Sequence, residues 1–90
     1  MKITMDTEAR TITVQREDGT DETCAMYSAR GFDILSRQWV RIGWSVKYSY
    51  GFTWLGRPVV QLPEDLLRVQ EVIWEVKPSV VIETGVAHGG

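Results

Sequence analysis

Apolar and polar residues alternate with a period of two at the start of the chain. Ile3 and Met5 alternate with Lys2 and Thr4, and Ile12 and Val14 with Thr11 and Thr13. This pattern predicts two half-buried strands joined around Asp6–Arg10, a β-hairpin over 2–15. Its expected role is structural, packing on the body of the protein or on a second subunit. Glu17-Asp18-Gly19-Thr20-Asp21-Glu22 reads as a solvated, turn-forming linker, because it lacks the ligand alternation of a calcium loop. From Ser28, a possible N-cap, the period changes. Phe32, Leu35, Trp39, Ile42 and Val46 fall on one stripe of an amphipathic helix over 28–48. Arg30, Arg37, Arg41 and Lys47 make its outer face basic against a single acid, Asp33. That face is either solvated or a patch for an anionic substrate or a neighbouring subunit. Gly43 costs this helix about 1 kcal/mol relative to Ala and marks a bend or a close helix contact.

The second half is patterned differently. Tyr48-Ser49-Tyr50-Gly51-Phe52-Thr53-Trp54-Leu55-Gly56-Arg57-Pro58 has neither a helical nor a strand period. Its rings either fill the core at a bend or wall a pocket, and Tyr48, Tyr50 and Trp54 are the candidate substrate-side residues. Val59–Leu62 is a short extended run. Pro63 opens a second helix, 63–77, with Glu64 and Asp65 in its first turn, Lys77 near its end and an i,i+4 pair between Glu64 and Arg68. Leu62, Leu66, Val69, Ile73 and Val76 are its expected buried stripe, with Trp74 on the flank. Pro78 stops it. Val80-Val81-Ile82 is then a continuous β-branched run, predicting a strand over 79–83 buried on both faces of a parallel sheet. Glu83 ends that strand, and Gly85, Gly89 and Gly90 follow. Helix, strand and glycine loop in that order are the start of a doubly wound α/β sheet, whose ligands bind at such strand ends. The expected division is a hairpin-and-helix part, 1–48, and the beginning of a cofactor-binding domain, 49–90.

Composition narrows the setting. A hydrophobic content of 43% suits a globular chain, and a net charge of −2 gives no reason to expect nucleic acid. All four Trp and three Tyr lie between Tyr27 and Trp74. Cys24 is the only cysteine, which excludes an intrachain disulfide and fits a reducing cytoplasm. No apolar run reaches the roughly 18 residues of a membrane span, and no signal-peptide core follows Met1. An open α/β sheet usually takes about 150 residues or more, so the chain is expected to be the front piece of something longer.

Three chemistries use a loop of this kind. The dinucleotide pattern G-x-G-x-x-G would need glycine where Ala87 stands. A phosphate-binding P-loop matches Gly85 and Gly90, but its Lys and Ser/Thr would fall beyond Gly90. The S-adenosylmethionine loop of class I methyltransferases, an acid followed by G-x-x-x-G-G, fits Glu83, Gly85, Gly89 and Gly90, and the acid suits an ammonium group. A glycine turn used only for tight packing is the plain alternative. His88 has no second ligand near it in sequence, so it is read as a hydrogen-bonding loop residue, not a metal ligand or catalytic base. Cys24 has no histidine partner to activate it.

Several stretches carry a more specific signal: Lys47-Tyr48-Ser49-Tyr50, Phe52-Thr53-Trp54-Leu55-Gly56-Arg57-Pro58, Gln61-Leu62-Pro63-Glu64-Asp65-Leu66, and Ile82-Glu83-Thr84-Gly85-Val86-Ala87-His88-Gly89-Gly90. Together they resemble the cephalosporin hydroxylase family, which also contains rhamnosyl O-methyltransferases. The likeness is strong over about the last half of the chain and looser over the first helix. It does not extend to the hairpin. It implies a Rossmann-like class I methyltransferase fold that binds S-adenosylmethionine, with a divalent metal, magnesium, near the acceptor. It also implies a role in natural-product or polysaccharide biosynthesis, on a sugar or other small-molecule hydroxyl. Glu83, Thr84, Gly85, Ala87, His88, Gly89 and Gly90 match the cofactor-loop motif. The metal-binding acids would lie beyond Gly90. An N-terminal arm in homo-oligomer contacts would be in character, and the ninety residues alone are expected to be inactive. The competing readings are a P-loop nucleotide-binding protein, or a non-enzymatic interaction module if the gene ends at Gly90.

Overall fold

The computed structural model describes residues 1–90 and mixes strands with helices in two compact units, Met1–Arg41 and Ile42–Gly90.

In the first unit, the predicted hairpin forms from β1 (Lys2–Asp6) and β2 (Thr11–Gln15), antiparallel with Ile3 opposite Val14 and Met5 opposite Ile12. The turn between them is tied by the Asp6 carboxylate, which accepts from the amides of Glu8 (3.0 Å) and Ala9 (2.7 Å). A third strand, β3 (Glu22–Ala25), pairs antiparallel with β2 and completes a sheet in the order β1-β2-β3. Thus the acidic stretch is not a free linker. Asp18 Oδ1 accepts from the Thr20 amide (2.9 Å) and hydroxyl (2.5 Å), and Asp21 Oδ1 from the Arg16 amide (2.7 Å). Short acidic side chains close the turn on their own backbone, and Glu22 already belongs to the ladder.

One face of this sheet supplies the core. Ile12 and Val14 are fully buried with Ile34, and Ile3, Cys24, Met26 and Leu35 pack around them. The other face is threonine-rich, with the hydroxyls of Thr13 and Thr23 hydrogen-bonded across the strands at 3.0 Å.

Helix α1 spans Ala29–Ser45. Ser28 caps it as expected, its hydroxyl oxygen accepting from the Gly31 amide at 3.0 Å. Of the predicted buried stripe, however, only Leu35 packs on the core. Ile34 is buried, whereas Phe32 is 75% exposed and Trp39, Ile42 and Val46 are also exposed. Gly31 decides this rotation. It is buried against the chain entering the helix, and a Cβ there would lie 2.7 Å from the Ala25 carbonyl oxygen. The side of α1 without a side chain is the side that can approach the meander. Half of the basic face is paired from within: Asp33 pairs with Arg30 and Arg37, both at 2.9 Å, and Arg30 also pairs with Glu22.

In the second unit, α1 ends as Lys47 enters the left-handed region (φ 59°) and a 3₁₀ turn, Tyr48–Tyr50, follows. The segment read as irregular then forms a tight antiparallel hairpin, β4 (Phe52–Trp54) with β5 (Arg57–Val59). Leu55 (φ 48°) and Gly56 (φ 80°) are its two loop residues, and positive φ at both is the type I′ pattern. A leucine there hides the signal that Asn-Gly would have given.

Helix α2 spans Pro63–Val76, with Pro63 in the first turn, Glu64 and Asp65 beside it, and Lys77 (φ 49°) closing it as its backbone amide donates a hydrogen bond to the Ile73 carbonyl (2.8 Å). Two details differ from expectation. Arg68 pairs with Glu71 at 2.8 Å, not with Glu64. Of the predicted stripe only Leu62 is buried; Leu66 is half-buried and Val69, Ile73 and Val76 are exposed. The predicted strand 79–83 is also absent: Val80, Val81 and Ile82 are exposed to solvent, Ile82 at 87%. A parallel strand exists only through its ladder and its covering helices. The two sheets present are small and antiparallel, and this segment pairs with neither of them. No helix is long and apolar enough to cross a membrane.

Candidate functional site

The glycine loop, 83–90, takes its shape from backbone handedness. Gly85 (φ 67°), Ala87 (φ 51°) and Gly89 (φ 80°) are all left-handed, so every second residue reverses the sense of the turn. Ala87 thereby adopts a glycine-like conformation at the position where a dinucleotide loop has glycine. The Gly89 amide donates to the Val86 carbonyl at 2.9 Å and closes the last turn.

The three glycines have different reasons to be glycine. A Cβ on Gly85 would meet nothing within 4 Å, so the space beside it is open. Gly89 needs its positive φ and would make only ordinary contacts, to Val86 and to Arg57 Cδ at 4.0 Å. Gly90 is steric: a Cβ there would lie 2.5 Å from Val59 Cγ1 and 2.8 Å from the Arg57 carbonyl oxygen. The end of the loop is therefore seated on β5. Glu83, Thr84 and His88 are exposed, and neither the Glu83 carboxylate nor the His88 imidazole makes an ion pair or hydrogen bond.

Tyr48, Tyr50 and Trp54 are all exposed, Trp54 at 50%. Tyr48 packs edge-to-face on Phe52 (ring centroids 5.0 Å) and lies against Gly43 of α1, where a Cβ would be 3.6 Å from Tyr48 Cβ. Tyr50 packs edge-to-face on Trp44 (6.4 Å). The rings thus sit around the α1 exit and the β4–β5 hairpin, and the one that shares a hairpin with the loop's seat is Trp54, cross-strand from Arg57.

Two features escaped the sequence. Arg57 brings a guanidinium stem past Gly89, and no carboxylate pairs with it. Ser49, fully buried, and Gln61 carry side-chain oxygens, Oγ and Oε1, that are buried without hydrogen-bond partners, while the Gln61 amide donates to the Ser49 carbonyl at 3.1 Å. Arg57 could have been suspected from its place in a segment of mixed glycine and aromatic residues. Nothing in the local pattern marks Ser49. No three His, Cys, Asp or Glu side chains converge, so these ninety residues do not fit a divalent metal by themselves. Chemically, the loop offers an unpaired carboxylate, which can answer a cationic group, and open space beside Gly85.

A family model described as rhamnosyl O-methyltransferase/CmcI matches residues 46–90, half of the chain. No curated protein and no solved structure matches. The matched span begins at the end of α1 and takes in the 3₁₀ turn, the β4–β5 hairpin, α2 and the whole glycine loop.

Proposed function

Since the chain belongs to the rhamnosyl O-methyltransferase/CmcI family, we propose that it is the N-terminal part of an S-adenosylmethionine-dependent O-methyltransferase acting on a sugar or secondary-metabolite hydroxyl. The observation that carries this reading is the coincidence of the family match with a loop whose geometry suits the cofactor. Gly85 leaves open space beside a left-handed backbone, and the Glu83 carboxylate stands unpaired at the loop's entry. With the family established, the P-loop spacing of Gly85 and Gly90 reflects only where the glycines fall.

The cofactor's sulfonium would supply the methyl group. Transfer to the acceptor oxygen would form a C–O bond as the S–C bond breaks, with the thioether leaving and the hydroxyl proton passing to a base or solvent. Alignment of donor and acceptor governs such a displacement more than strong acid–base chemistry does. In this reading Glu83 pairs with the ammonium of the methionine moiety, and the Thr84–Gly90 backbone wraps it. Tyr48, Tyr50 and Trp54 form an aromatic wall toward cofactor or acceptor. Magnesium, where used, would be held by acids outside these ninety residues.

The test is calorimetry on the full-length protein. S-adenosylmethionine should bind, and Gly85→Val should abolish binding, because the branched side chain occupies the open space and opposes the positive φ. Unchanged affinity in that variant would sink the loop assignment. Detectable methyl transfer by the purified ninety-residue chain would contradict its standing as a part.

A further inference from the structure

The methionine end of the proposed cofactor carries two charges, and the loop's own acid answers only one. Five side chains in the family-matched span can carry positive charge: Lys47, Arg57, Arg68, Lys77 and His88. Arg68 is engaged by Glu71 at 2.8 Å, and Lys77 lies over the Trp74 ring, 5.2 Å from its centroid. His88 is in the loop itself, but an imidazole lacks the planar fork of donors with which a guanidinium meets both oxygens of a carboxylate. Between the remaining two, only Arg57 is brought to the loop. Its Cδ lies 4.0 Å from where a Gly89 Cβ would be, and its carbonyl is part of the surface that seats Gly90.

We infer that Arg57 is a cofactor-positioning residue whose guanidinium receives the carboxylate of the methionine moiety, opposite the ammonium held by Glu83. This rests on the reading that the loop binds S-adenosylmethionine. The residue is suited to the task for three reasons. β5 fixes its backbone through the pairing of Arg57 with Trp54 across a two-residue turn. The missing side chain at Gly90 lets loop and strand approach closely. The guanidinium is exposed and owes nothing to an internal carboxylate, so pairing with a ligand breaks no existing bond. A guanidinium can also meet a carboxylate with two parallel hydrogen bonds, which orients the ligand as well as holding it.

The experiment compares two ligands on the full-length protein by calorimetry. S-adenosylhomocysteine has the amino-acid end, and 5′-methylthioadenosine lacks it. Arg57→Ala should weaken the first roughly 10- to 100-fold, the range of a lost charge-assisted pair, and leave the second within about twofold. Arg57→Lys should recover part of the loss. Arg57→Gln should behave like the alanine variant while keeping the stem that packs past Gly89. Equal loss for both ligands would mean that Arg57 only supports the loop, and the inference fails. Unchanged S-adenosylhomocysteine affinity with a raised KM for the acceptor would assign the guanidinium to the acceptor and also overturn it. If the unmutated protein binds neither ligand, the cofactor reading itself falls, an outcome distinct from either.

Discussion

Glu22 grips Arg30 with both carboxylate oxygens: Nε donates to Oε2 at 3.1 Å and Nη2 to Oε1. Arg16 Nη2 donates to the same Oε1 at 2.5 Å. The first residue of β3 is in this way tied both to the turn before it and to the first turn of α1.

The tie predicts an acid response. Arg30 first, and Arg16 second, hold the Glu22 carboxyl at about 2, below its ordinary 4.5. The folded chain therefore binds this proton less readily than the unfolded chain, so the interaction stabilises above pH 4.5 and is lost as the pH falls toward 2. Glu22→Gln should flatten the stability–pH profile in that window. Denaturant melts at steps of pH would read it, and an unaltered slope would place the acid sensitivity elsewhere.

Gly31 and Gly43 lie in the same helix and should respond to alanine with opposite signs. At Gly43 the added Cβ makes ordinary contact with Tyr48, so the usual helix preference of about 1 kcal/mol should appear as a gain. At Gly31 the Cβ meets the Ala25 carbonyl oxygen at 2.7 Å and the Met26 carbonyl carbon at 3.0 Å, backbone atoms that cannot swing aside. Gly31→Ala should cost about 1–3 kcal/mol despite the better helix former. Thermal melts of the two variants side by side would show it; a shared sign would refute the steric account.

Leu55 occupies a left-handed position with 91% of its surface exposed, so it bears strain without gaining burial. Leu55→Asn supplies the Asn-Gly pair that such turns prefer. It should stabilise the β4–β5 hairpin by about 1 kcal/mol. Slower amide exchange at Trp54 and Arg57 would be the direct sign, and faster exchange would argue that the leucine is held for another reason.

Tyr50 and Trp54 test the aromatic wall. A fully buried ring cut to alanine costs about 3–5 kcal/mol. These rings are half-exposed, so Tyr50→Ala and Trp54→Ala should cost clearly less, with Tyr50 also losing about 1 kcal/mol of edge-to-face packing on Trp44. If the rings wall a pocket, ligand affinity in the full-length protein should drop while the melting temperature hardly moves. Variants that lose the fold without a selective effect on binding would assign the rings to the core.

Local signals were the legible ones. The alternation at Ile12 and Val14, the Ser28 cap, Pro63 with its acidic first turn, and the stop at Pro78 each act within one turn or one strand pair, and each appears where the sequence put it. The miss at β3 came from reading charge as solvation, when Asp18 and Asp21 were closing a turn and Glu22 was already in a strand. The β4–β5 hairpin was hidden because Leu55 is the wrong residue type for its own conformation. Burial of the α1 stripe, the α2 stripe and Val80–Ile82 depends on surfaces remote in sequence, and no periodicity specifies those. In the loop, the glycine pattern picked out the left-handed turns at Gly85 and Gly89, but only three-dimensional proximity could bring in Arg57.

The strand order β1-β2-β3 repeats the order of synthesis, and each strand pairs with the one made immediately before it. Every contact of this sheet is thus between near neighbours in the chain, the arrangement of low contact order that folds fastest. The Ile12–Val14–Ile34 core is complete once α1 has been made. A growing chain can therefore form this unit as it leaves the ribosome, ahead of everything that follows.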